Sequence, residues 1–132
     1  MFRRKRLPPG LQEAYERFRA AVEPLERGKA ALTESVPGTR LPGRPLTDTL
    51  LEFEEGLREA DAAMPAWRVP ELEHEWLAGN EAIRDCLARA ERLRLEAEGP
   101  VGFEALIGTI GDLMAPLEAF EAAERRFRSL RA

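Results

Sequence analysis

The chain contains a single histidine, His74, and a single cysteine, Cys86, so the side chains that most often carry acid–base and nucleophilic chemistry are each present once. Glu71 and His74 have the Glu-x-x-His spacing that forms half of a dinuclear carboxylate site on a bundle helix. The other half needs a second histidine, which the chain lacks. On a helix His74 falls about 200° around the axis from Leu72, which predicts a solvated position away from the apolar stripe. Arg68 lies upstream of His74, and together they could stabilise a developing anion and move a proton. Pro70 separates them, however, and the chain's 18 arginines make such a spacing to the only histidine an ordinary coincidence. Cys86 sits among Ile83, Leu87 and Ala90 and is expected to act as a small core hydrophobe. One cysteine allows neither an internal disulfide nor a cysteine-based metal site.

Carboxylates are abundant, with 20 glutamates, so close pairs are inevitable. Glu13 and Glu16, Glu52 and Glu55, and Glu118 and Glu121 share a helix face at i,i+3 spacing, with arginines within a turn of most of them. Solvated, salt-bridged faces are expected rather than metal or general-acid sites. Because no nucleophile, base and orienting group can be assembled, the expectation is a protein that is not an enzyme and holds neither cofactor nor metal.

The residues free to recognise a partner are positively charged or lie in loops. Arg3, Arg4, Lys5 and Arg6 place four positive charges at the start of a chain whose net charge is -4, so the remainder carries -8 by difference. Arg125, Arg126, Arg128 and Arg131 lie near the other terminus. In an antiparallel bundle the two groups fall at one end, where nucleic acid or an anionic membrane could bind. Glu71, Glu73 and Glu75 at that same end compete by neutralising the arm. Arg40, Leu41 and Arg44 stand in a proline- and glycine-rich loop. Trp67 stands in a proline-bounded turn, where it either plugs the bundle's end or anchors a partner, the plug being the leading reading.

These residues are positioned by helices. Apolar residues recur at helical spacing from Leu11 to Leu32, from Leu50 to Met64, from Val69 to Leu93 and from Phe103 to Leu130, and no stretch alternates as strands do. The expected fold is all-α: a four-helix-bundle-like domain over residues 9–132, mainly antiparallel, preceded by a basic arm at 1–8 and carrying a Pro/Gly-rich loop at 34–47. Pro24 and Pro116 are expected to kink the first and last helices. Thr47 or Asp48 is expected to cap the second helix, with Thr49 and Glu52 forming a capping box. Gly108, Gly111 and Ala115 line up small residues on the last helix, which predicts a face against which another helix packs closely.

The second helix, at about seventeen residues, is expected to fall roughly 15 Å short of third and fourth helices of nearly thirty. The loop or a second copy of the chain would then cover the longer ends. No run approaches the roughly 18 apolar residues of a membrane span, and no apolar stretch of signal-peptide type follows the arm, so the expected address is the cytoplasm. The expected role is a non-enzymatic protein-interaction or regulatory module, binding another protein or a second copy of itself. Anion binding through the arm is the alternative.

Overall fold

The computed structural model describes residues 6–33, 45–97 and 109–131. Among the described residues every regular element is helical, and the all-α, mainly antiparallel bundle is observed. Helix α1 (Pro9–Thr33), α2 (Leu46–Ala63) and α3 (Glu73–Ala97) are followed by a short α4 (Ile110–Met114) and by α5 (Glu118–Ser129). Two 3-10 turns, Met64–Trp67 and Pro70–Leu72, join α2 to α3, and a third, Ala115–Leu117, joins α4 to α5.

Helices packed side by side are antiparallel, whereas α4 and α5 follow one another through the 3-10 turn at Ala115–Leu117. Gly28 of α1 meets Phe53 of α2 while Pro24, a turn earlier, meets Gly56. Arg58 and Glu54 of α2 pair with Glu91 and Arg94 of α3. Cys86 of α3 bonds the Leu113 carbonyl of α4, and Tyr15 of α1 bonds Glu124 of α5. The apolar stripes close on one core that includes Phe18, Phe53, Trp67, Ile83 and Phe127, each almost entirely excluded from solvent. No helix among the described residues is long and apolar enough to cross a membrane.

The two prolines act differently. α1 runs unbroken through Pro24, whereas at Pro116 the helix tightens into a 3-10 turn before resuming. Proline has no N–H for the carbonyl four residues back, which here is that of Asp112. Arg89 Nη1 of α3 donates to that carbonyl at 3.3 Å. The Cys86 thiol donates to the next one, on Leu113, at 3.2 Å. Two α3 side chains thus supply donors where the ladder is disturbed.

Several boundaries differ from the sequence expectation. The loop expected to reach residue 47 ends earlier, because α2 begins at Leu46 with Pro45 as its N-cap and no side-chain cap. The Pro45 carbonyl instead accepts from the backbone N–H groups of Asp48 and Thr49. Thr49 is buried and turns its hydroxyl to the Leu46 carbonyl at 3.1 Å, which is not the geometry of a capping box. The third helix is shorter than expected because Pro70 starts a separate 3-10 turn. The arm is also shorter than residues 1–8, since Leu7 is part of the core.

The expected close packing on Gly111 and Ala115 does not occur. Both are exposed, and a Cβ on Gly111 would meet nothing within 4 Å. Close approach happens instead where α1 crosses α2. A Cβ on Gly56 would lie 2.4 Å from the Pro24 carbonyl oxygen, and one on Gly28 would lie 3.0 Å from Phe53 Cα. Gly108 and the expected helical positions Phe103, Leu106 and Ile107 lie outside the described residues.

Candidate partner-binding surface

Of the residues expected to meet a partner, Arg3, Arg4, Lys5, Arg40, Leu41 and Arg44 lie outside the described residues. Arg6 is exposed at the bundle end where α1 begins and α5 finishes. Trp67 is corrected to a core residue: its ring is 0% exposed and packs edge-on against Phe18 at 4.9 Å, with Phe120 and Phe127 behind it. The turn carrying it is pinned by the next tryptophan, because Trp76 Nε1 donates to the Met64 carbonyl at 2.8 Å. Enclosed this way, Trp67 offers no surface to a partner, and it plugs the end of the core. Its own Nε1 finds no acceptor among the described residues.

The chemistry-bearing residues are placed separately. His74 and Glu71 are exposed. Arg68 donates to the Glu73 carboxylate through Nε at 3.1 Å and lies over the Trp76 ring at 4.0 Å. Its hydrogen bond lowers the Glu73 pKa and raises that of Arg68. Arg68 is thereby committed to neighbours other than His74. Burial raises the Cys86 thiol to about 11, with the Asp85 charge adding to the effect, which is opposite to what a thiolate nucleophile needs. Among the described residues no three His, Cys, Asp or Glu side chains converge to hold a metal.

What the helices do assemble is a groove between α1 and α5. Near the N-terminal half of α1 the two helices are sealed by aromatic rings, with Tyr15 5.3 Å from Phe127 and Phe18 5.2 Å from it. Tyr15 donates to Glu124 Oε1 at 2.7 Å. Burial, more than this bond to a carboxylate, raises the tyrosine's pKa, while Arg19 and Arg128 pull it back. Arg128 reaches the same carboxylate at 3.2 Å and Arg19 at 3.7 Å.

Beyond this seal the helices part and leave a groove of about 280 Å³. Phe18, Val22, Leu25, Leu117 and Phe120 line its apolar part. Glu26 and Lys29 stand on the α1 rim and Glu121 and Arg125 on the α5 rim. None of these four makes a hydrogen bond or ion pair with another described residue.

This arrangement was not visible in the sequence. Glu121 was grouped there with Glu118 as a salt-bridged face, yet among the described residues it makes no ion pair. Glu54 was not singled out at all, although it is 0% exposed and accepts from Arg94 Nε at 2.8 Å. A signal existed: Glu54 follows Phe53 and precedes Leu57 by three, which puts it at the margin of the apolar stripe. No family model matches the chain, and no curated protein or solved structure shows a significant similarity to it.

Proposed function

We propose that the protein is a non-enzymatic, cytoplasmic interaction module whose α1–α5 groove receives an amphipathic helix of a protein partner. One observation carries the reading: the groove's floor is the outer edge of largely buried apolar side chains, and it lies between four charged groups with no ion-pair partner among the described residues. An amphipathic helix answers both features, because its apolar residues at i, i+3 and i+4 fill such a groove while flanking charges meet the rim. Charges of both signs on both rims favour a partner helix that is itself mixed in charge.

A second copy of the chain is the second reading, favoured by self-complementarity. A two-fold axis would let Lys29 face Glu121 and Glu26 face Arg125 of the other copy, in the reciprocal pattern a symmetric dimer requires.

A photo-crosslinking amino acid placed at Glu121, on the groove rim, and in a separate variant at Arg84, on an exposed part of α3, tests the proposal in cells of the native host. A discrete crosslinked protein from position 121, absent from position 84 and lost on Lys29→Glu, is the expected result. A crosslinked species of twice the chain's mass would assign the groove to the dimer. The same products from both positions, or none from 121, would overturn the groove as the interaction site.

A further inference from the structure

Away from the groove, the start of α1 and the end of α5 share one end of the bundle. Leu7, 6% exposed, ties the chain to the core there. Arg6, Gln12, Arg128, Ser129 and Arg131 line a hollow beside it of about 1160 Å³, and among the described residues no carboxylate side chain lines it. Arg6 makes no hydrogen bond or ion pair with another described residue. The other two guanidiniums are oriented by neighbours, Arg128 by Glu124 at 3.2 Å and Arg131 by the Tyr15 ring at 5.7 Å.

The backbone adds to the positive field. α1 opens at Pro9 with no acidic residue in its first turn, and the first amides of a helix have no partner within it and carry the positive end of its dipole. Pro9 lines the hollow but has no N–H to offer it, so the helix contributes its dipole and the donors there are side chains. Guanidiniums are donors that phosphate oxygens take well.

We propose that this hollow is a binding site for a soluble oligophosphate, a ligand carrying two or more phosphate groups. Its breadth, with three guanidiniums around it, suits a ligand carrying more than one phosphate. Among the described residues no exposed aromatic lines it to stack a base. The exposed leucines, Leu51, Leu77 and Leu95, belong to α2 and α3 and do not line it.

Calorimetric titration of the full chain with inorganic triphosphate at low and moderate salt tests the site. The expected result is one-to-one binding that weakens with salt, with Arg6→Glu lowering affinity by about tenfold or more, the value of one charge-assisted contact. Arg6 is exposed and precedes α1, so its replacement leaves the fold intact, which circular dichroism checks. Arg84→Glu makes the same charge change on an exposed α3 residue outside the hollow and should leave affinity within about twofold. Absence of binding at millimolar triphosphate would overturn the proposal, as would equal weakening by the two variants. Arg6-dependent binding of anionic vesicles or duplex DNA without triphosphate binding would overturn it in favour of that partner.

Discussion

α1 meets α2 and α5 along two of its sides, and the two seams are built in opposite ways. Toward α2, Gly28 and Gly56 remove side chains from the crossing until backbone meets backbone, with Pro24's carbonyl occupying the space a Cβ on Gly56 would need. Toward α5, the aromatic seal of Tyr15, Phe18 and Phe127 ends after the first half of the helix, and the apolar side chains beyond it line an open groove. Close packing stabilises but leaves nothing for a ligand to touch. The apolar side chains along the groove are themselves largely buried, so what stays open is a narrow apolar floor between charged rims. The contrast is the reason the partner site is proposed at the α1–α5 seam and not at the better packed one.

The strongest way to break this comparison is Gly56→Ala. At 2.4 Å from the Pro24 oxygen the added methyl has to push the helices apart, and the expected loss is about 3 kcal/mol or more, within the upper range for overpacking. Urea denaturation followed by circular dichroism measures it; a loss below about 1 kcal/mol would show that the crossing is not held by backbone contact.

A smaller effect is expected at the sealed end of the other seam. Tyr15→Phe removes the hydrogen bond to Glu124 and should cost about 1 kcal/mol. It should also alter the pH profile. Because the folded state raises the tyrosine's pKa, its contribution is fully present below the ordinary value near 10 and is lost as pH rises through the raised one. Cys86, held up at about 11 against its usual 9, loses stability on the same side of neutrality. The comparison therefore uses a Cys86→Ala background. There Tyr15→Phe should flatten the alkaline decline, and an unchanged slope would remove the tyrosine from it.

The smallest effect sharpens the point by its sign. Gly111 is also a helical glycine, but a Cβ there meets nothing within 4 Å. Gly111→Ala should therefore raise stability by roughly 0.5–1 kcal/mol through helix propensity and unfolded-state entropy. A destabilised Gly111→Ala variant would show that the space around this glycine is needed.

The helices themselves were legible from apolar spacing, because burying one face at a 3.6-residue period leaves a mark on every turn. Boundaries near Pro45 and Pro70 were less legible. Proline there signals an irregular start, but whether it ends a loop, begins a helix or nucleates a 3-10 turn depends on what the flanking carbonyls find as donors. Tryptophans and glycines were hardest to place. Trp67 in a proline-bounded turn has the same sequence signature whether it faces a partner or the core. Gly56 and Gly111 look alike until the neighbouring helix is present.

By itself the sequence determined the all-α class, the antiparallel run of the helices joined by short turns, and an inventory of one histidine and one cysteine. These follow from local periodicity, turn length or residue count, which need no knowledge of what lies across the bundle. Only the tertiary structure decided that α1 is closed against α2 and open toward α5, that Trp67 is enclosed, that Glu54 is buried with Arg94, and that Arg6 shares a hollow with Arg128 and Arg131. Each of these depends on which residues distant in the chain are brought within contact distance. That is set by the joint packing of all the helices, and no single stretch of sequence encodes it.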